Sequence, residues 1–328
     1  MTAPDVSGDV SGGPPRTSDV SGGPPLTAEL APEAADLLRR LAELGLRPYA
    51  EVGVLAARHA VEASRWMQGE KVAVATTDLL VDGAAGRLPA RVYHPDPGTT
   101  LPVTVWFHGG GWVTGSVANA DRPCRAIARQ ARSIVVSVEY RRAPETPFPG
   151  PVDDAEAATS WVIGHAAELG ADPLHVVVAG DSAGGTLAAA VGRRLRSAIA
   201  RQVLVYPPLA PPGPAGYPAH NEGHLLTHAD MVWFWDHYLA GQAPTPDAAP
   251  LLGRDVEGLP PVSIAVAGFD PLHDEGLAYA ARLREAGVDV DLRDWPDMIH
   301  GFLGMAGELP QTAGLITWVA AAIGRSTT

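Results

Sequence analysis

The residues able to do covalent chemistry gather in a few short stretches. Gly180-Asp181-Ser182-Ala183-Gly184-Gly185 directly follows an apolar run at 176–179 and opens an Ala- and Leu-rich stretch at helical spacing. A serine on a sharp strand-to-helix turn has its hydroxyl lifted clear of the sheet, and a side chain at either neighbouring glycine position would clash. The same turn aims the first N–H groups of the helix at the reacting centre, where they meet negative charge. Ser182 is therefore the candidate nucleophile, with a Gly-rich turn devoid of chemistry as the plainer alternative. His108-Gly109-Gly110-Gly111-Trp112 follows a second apolar run, 103–107. Successive glycines leave backbone N–H groups uncovered, and such a loop can donate to an oxyanion on a tetrahedral intermediate. A flexible turn is the alternative there.

A serine hydroxyl is a poor nucleophile without a base. Of the eleven histidines, His300 is the last, in Met298-Ile299-His300-Gly301-Phe302 after the final strand-like run. Its acid should precede it, in the chain order Ser…Asp…His. Asp270, in Gly268-Phe269-Asp270-Pro271-Leu272, follows the apolar run 264–267, giving separations of 88 and 30 residues. Strand ends on one edge are where open α/β sheets carry their sites. Asp274, Asp294 and Asp297 compete for the role, with Asp274 ranked second. Asp before Pro is also a common helix start, and Asp270 can serve both purposes. His224 and His228 are four apart and could share a helix face as metal ligands, but no third ligand is evident, so no metal is expected. Gly180–Gly185 fits neither a Walker nor a dinucleotide fingerprint, so no cofactor is expected.

These residues need a scaffold. The chain has 328 residues, 46% of them hydrophobic, enough for a sizeable core. Thirty-seven acidic against 24 basic residues give a net charge of −13. So negative a surface argues against nucleic acid and against anionic membranes as partners. Cys124 is the only cysteine, so no intramolecular disulfide can form, and it reads as a plain buried or half-buried residue. No basic-then-apolar leader and no run of about 20 apolar residues is present, which points to a cytoplasmic protein. Residues 1–26 contain the near-repeat at 9–15 and 19–25 and read as a disordered low-complexity tail.

From residue 27, Leu30, Ala34, Leu37, Leu38, Leu41 and Leu44 recur at helical spacing, and a weaker helical stretch covers 49–66. Runs at 72–81 and 87–94 read as an antiparallel pair of strands. Apolar strands at 103–107, 134–138, 176–179, 203–206 and 264–267 then alternate with helical patterns at 119–131, 152–169, 183–199 and 272–286. Strands without a polar face are buried on both sides, so an α/β fold is expected, with a mostly parallel sheet and helices on both faces. Residues 207–218 hold six prolines and break the rhythm. Thr227 and Asp230 then signal the start of a helix containing Trp233, Phe234, Trp235 and Tyr238, which packs either into the core or over a site.

Four motifs taken together resemble the hormone-sensitive-lipase-like branch of the α/β-hydrolases, the bacterial family IV esterases. They are His108-Gly109-Gly110-Gly111-Trp112, the Gly180–Gly185 turn, the Asp-Pro-Leu-His-Asp-Glu-Gly run beginning at Asp270, and Ile299-His300-Gly301-Phe302. A fifth match, Tyr140-Arg141-Arg142-Ala143-Pro144-Glu145, departs at Arg142, where that family usually has Leu. The resemblance covers roughly residues 70–325.

It implies an α/β-hydrolase catalytic domain over 71–328, cap helices over 27–70 and a cap insertion at about 207–245. It maps nucleophile, acid and base onto Ser182, Asp270 and His300, and the oxyanion donors onto the N–H groups of Gly110, Gly111 and Ala183. Asp181 places the chain in the subgroup with Asp before the nucleophile. Trp112, Asp181, Tyr206, Trp233 and Phe234 are the candidate pocket residues. The expected activity is hydrolysis of short- to medium-chain carboxylic esters, with a small-molecule ester as partner and dimerisation through the strand near 288–292. An acyltransferase or amidase would use the same triad, and a non-catalytic binder could keep the same fold.

Overall fold

The computed structural model describes residues 28–213, 217 and 223–327. The expected tail at 1–26 lies outside the described residues, as does much of the proline-rich stretch, at 214–216 and 218–222.

The apolar runs become one sheet. Its strands are β1 (Ala75–Gly83), β2 (Gly86–His94), β3 (Leu101–Phe107), β4 (Ile134–Val138), β5 (Ala171–Asp181), β6 (Arg201–Val205), β7 (Val262–Phe269) and β8 (Val290–Ile299). They lie in the order β1-β2-β4-β3-β5-β6-β7-β8. β1 and β2 form the expected antiparallel hairpin, and β2 also runs antiparallel to β4. From β4 through β8 every neighbour is parallel. β8 closes one edge, the one on which dimerisation was expected.

Residue alternation sorts the core. Val105 of β3 sits between Val136 and Val178 on its two neighbours. That face packs against α4 (Gly150–Gly164), α6 (Ala183–Arg194) and α8 (His273–Glu285) through Val152, Leu187, Val191 and Leu283. Trp106, Val135, Val177, Val203 and Ala265 face the other way, onto α3 (Val117–Ala131) and α9 (Gln311–Gly324), through Cys124, Ile127, Leu315 and Val319. Helices therefore cover both faces. Each fully buried Val or Leu contributes about 1.5–3 kcal/mol, which makes the sheet the stable reference for everything mounted on it.

α1 (Pro32–Glu43) buries Ala34, Leu37 and Leu41, the stripe read from its spacing. The weak helical stretch after it divides into a single turn at Tyr49–Glu51 and α2 (Val54–Ala63), because Val52 and Gly53 are extended. The helix expected over 152–169 likewise splits at His165 into α4 and the short α5 (Ala166–Leu169). α7 (His228–Leu239) opens on the expected cap: the Thr227 hydroxyl accepts from the Asp230 N–H while the Asp230 carboxylate accepts from the Thr227 N–H. No helix among the described residues is long and apolar enough to cross a membrane.

Candidate active site

The C-terminal ends of β3, β5, β7 and β8 lead into His108, Ser182, Asp270 and His300, all on one edge of the sheet. Ser182 has φ 51° and ψ −127°, a conformation rare for a residue with a side chain and one that costs about 1–3 kcal/mol. The surroundings hold it there. Its N–H donates to Val205 O at 2.8 Å, so the turn is stitched to β6. A Cβ on Gly184 would overlap Phe107 O, and one on Gly180 would overlap the Gly184 carbonyl. The two glycines are required by this close approach of backbones.

The three side chains expected to act together meet. His300 Nδ1–H donates to Asp270 Oδ2 at 2.7 Å, and the Ser182 hydroxyl donates to His300 Nε2 at 2.9 Å. The carboxylate cannot donate, so the proton between Asp270 and His300 sits on Nδ1, leaving Nε2 basic toward the serine. Asp270 is fully buried, and its other oxygen accepts from the Leu272 N–H at 2.9 Å, so it also shapes the turn into α8. Asp274 instead pairs with the His273 imidazole at 2.9 Å.

The glycine loop is fixed by its carbonyls. The Tyr140 hydroxyl donates to His108 O at 2.7 Å, and His108 Nδ1–H donates to Gly109 O at 2.8 Å. The Thr114 N–H and hydroxyl donate to Gly110 O at 2.8 and 2.9 Å. Trp112 O accepts from the Ala143 N–H and Val113 O from Arg58 Nε, each at 2.9 Å. Arg142, the departure from the family pattern, donates to Gly115 O. Asp181 Oδ1 accepts the Gly109 N–H at 3.1 Å. Among the described residues, the N–H groups of Gly110, Gly111 and Ala183 have no acceptor. Three donors left open beside a serine on a fixed frame can stabilise developing negative charge. Arg58 and Tyr140 were not singled out for this role from the sequence. Tyr140 lies in the Tyr-Arg-Arg-Ala-Pro-Glu match, which from the sequence was tied to no role in the loop.

A cavity of about 230 Å³ opens beside Ser182 and His300. Of the candidate pocket residues Asp181 and Phe234 line it, together with the loop glycines Gly110 and Gly111. Trp112, Tyr206 and Trp233 do not, and each has a local reason. Trp112 has φ 61°, and its fully buried indole stacks on Tyr238 with centroids 4.1 Å apart. The Tyr206 ring lies 4.7 Å from the His300 ring and its hydroxyl accepts the Leu303 N–H at 3.2 Å, so it braces the base. Trp233 packs on His237 and Phe234. The remaining walls come from Leu41, Leu46, Tyr49 and Met67 of the N-terminal segment, Leu225, Leu226 and Met231 around α7, and Leu303 and Met305 after β8. α7 thus does both things its aromatic content allowed: Met231 and Phe234 face the cavity, while Trp235 and Tyr238 pack against Trp112. A larger cavity of about 440 Å³, lined by Arg58, Arg87, Glu139 and Arg141 among others, contains none of the nucleophile, base or acid.

Burial dominates the electrostatics. It holds the Asp181 carboxyl up at about 6, against the opposing effects of the Gly109 N–H and His300. Burial also pushes Glu275 well above the usual carboxylate range, although its Oε1 accepts the Leu209 N–H at 2.7 Å. His108 is kept neutral by burial. His273 goes the other way: burial disfavours its cation, but Asp274 and Asp294 overcome this and raise it to about 9. Of the two histidines weighed as metal ligands, His224 packs edge-on to Phe269 and His228 edge-on to Tyr217. Among the described residues no group of three or more His, Cys, Asp or Glu side chains could hold a metal ion.

The family described as alpha/beta hydrolase fold matches residues 104–304. The chain is 43% identical over 254 residues to the carboxylic ester hydrolase LipN of Mycobacterium tuberculosis, covering 73% of this chain and 67% of that protein. It is 35% identical over 246 residues to the ethyl acetate hydrolase of Pseudomonas putida, covering 71% and 77%. The hyperthermophilic esterase from the archaeon Pyrobaculum calidifontis superposes with a TM-score of 0.82 at 34% identity, over 92% of this chain and 99% of that one. With the nucleophile turn, the glycine loop and the two later motifs on one sheet edge, the chain belongs to the α/β-hydrolases, in their hormone-sensitive-lipase-like branch of carboxylic ester hydrolases.

Proposed function

We propose that this carboxylic ester hydrolase acts on short- to medium-chain acyl esters through an acyl-enzyme on Ser182. The observation that carries the reading is the hydrogen-bonded chain Ser182–His300–Asp270 at the wall of the cavity. His300 Nε2 takes the hydroxyl proton as Ser182 Oγ attacks the carbonyl carbon. The carbonyl oxygen becomes an oxyanion and is met by the N–H groups of Gly110, Gly111 and Ala183. Asp270 stabilises the imidazolium. His300 then hands its proton to the leaving alcohol, and the acyl group stays on Ser182. Water, deprotonated by the same nitrogen, attacks the acyl carbon; the bond to Ser182 Oγ then breaks, His300 returns the proton to that oxygen, and the carboxylic acid leaves. Residues 27–70 and about 207–245 act as a cap, since both regions furnish cavity walls.

Two observations support small esters. The cavity of about 230 Å³ is below the roughly 300–1,000 Å³ of pockets for drug-sized ligands. One relative is an ethyl acetate hydrolase by name. The test is hydrolysis of p-nitrophenyl esters from acetate to palmitate by wild type and Ser182→Ala. Turnover should peak at short or medium chains and disappear in the variant. Undiminished turnover in Ser182→Ala would exclude the acyl-enzyme, and a peak at palmitate would exclude the chain-length assignment.

A further inference from the structure

We propose that Asp181 selects substrates by charge: the cavity accepts uncharged and cationic esters and turns away esters that carry a second carboxylate. This rests on the ester-hydrolase reading and adds the class of ester. Among the described residues no Lys or Arg lines the cavity. Its ionisable side chains are Asp181, His108, His300 and Tyr49, whose phenol burial pushes up to about 12 and so keeps neutral. Burial keeps His108 neutral, and His300 starts neutral if it is to take the serine proton. Asp181 therefore sets the sign of the wall. Its carboxylate is half-buried, accepts the Gly109 N–H, and pairs with no lysine or arginine among the described residues. Even held up at about 6, it is mostly ionised at pH 7.5.

A carboxylate without a cation partner in a small, largely apolar cavity acts over several ångströms, because apolar walls screen charge less than bulk water does. A substrate carboxylate entering beside it meets a like charge and finds no cation to offset that. An ammonium group meets the opposite charge and also the faces of Tyr49 and Phe234, which line the same space. The acid released on deacylation is itself an anion, so the same charge favours its departure.

The test uses two size-matched pairs at pH 7.5. One sets p-nitrophenyl hemisuccinate against p-nitrophenyl valerate; the other sets acetylthiocholine against 3,3-dimethylbutyl thioacetate. In wild type, kcat/KM for the hemisuccinate should fall at least about tenfold below the valerate, and acetylthiocholine should match or exceed its neutral partner. Asp181→Asn keeps an oxygen able to accept from Gly109, so both ratios should move toward one whatever happens to kcat itself. Loss of loop support alone would lower all four rates and leave the ratios fixed, and that result would overturn the proposal. Should the variant not fold, the wild-type ratios decide: a hemisuccinate turned over as fast as the valerate overturns the proposal. Absence of turnover on both neutral esters would instead remove the esterase reading beneath it.

Discussion

Residues 108–115 and residues 44–55 flank the same cavity, yet they are held by different means. In the first segment nearly every carbonyl is tied to a side chain or to a neighbouring strand or loop: Tyr140 on His108, Thr114 on Gly110, Ala143 on Trp112, Arg58 on Val113 and Arg142 on Gly115. The second presents Leu44 and Leu55 to solvent at 73% and 72% exposure. It is fastened to α7 by the Ala50 N–H on Asp230 Oδ1 at 2.9 Å and by the Tyr49 ring 5.1 Å from Phe234. The contrast follows from what each must do. Donors to an oxyanion help only if they need no reorganisation when charge appears. A cavity wall with exposed apolar side chains and few ties to the body belongs to the kind of segment that opens most easily.

The largest effects should come from the reacting groups on the rigid side. Asp270→Asn should lower kcat by about 10⁴-fold and Ser182→Ala by on the order of 10³-fold or more, with circular dichroism unchanged. Asp274→Asn, which disturbs the His273 pair and leaves the Asp270–His300 bond in place, should stay within about tenfold of wild type. If Asp274→Asn proves the more damaging of the two carboxylate changes, the acid has been misassigned.

Next is Gly111→Ala. This glycine has φ +58°, and an added Cβ would overlap the Phe234 ring. Displacing one oxyanion donor should cut kcat by about 10²–10³-fold while KM shifts little. Adding Phe234→Ala removes the overlap but not the backbone strain, so partial recovery in the double variant would divide the two causes. Unchanged kcat in Gly111→Ala would mean the loop is not rigid.

The segment at 44–55 should respond in KM. Asp230→Ala removes the acceptor for Ala50 and half of the α7 cap, each worth about 1 kcal/mol. KM should rise several-fold, with kcat altered by less than about threefold. A fall in kcat with constant KM would place this segment in the chemical step and erase the distinction drawn above.

The smallest effect concerns pH and lies outside the cavity. His273 is raised to about 9 in the folded protein by Asp274 and Asp294. A cation with a raised pKa adds stability that is complete below its ordinary value near 6.5 and is lost as pH climbs through about 9. Melting temperature should therefore decline over that window by a few degrees more in wild type than in His273→Gln. Parallel declines in the two proteins would remove His273 as the cause.

What could be read from the amino-acid order follows the same division. Gly180 and Gly184 are demanded by backbone approaches within a few residues or across adjacent strands, and Gly111 by its positive φ, so their spacing announced the turn and the loop. Val105, Val136 and Val178 announced a sheet buried on both faces. The cavity wall was less legible because rotation decides it. Trp112 follows an exposed-donor glycine and looks like a pocket residue, but a positive φ turns its ring into the core. On α7, single steps along the helix separate Trp233, Phe234 and Trp235 into three directions, and nothing local says which one meets substrate. Arg58 leaves no trace of its role at all, since a guanidinium donating to carbonyls 55 and 85 residues away obeys no spacing rule.

Cys124 sits fully buried on the inner face of α3, with its thiol pushed well above the usual range by burial. Toward alkylating reagents the folded chain thus behaves as though it had no thiol. A single cysteine placed at exposed Leu44 can carry a fluorophore without a cysteine-free background first being built. The slow labelling of Cys124 in the same tube then counts openings that expose α3, so one sample gives separate clocks for the segment around Leu44 and for the unfolding of the core.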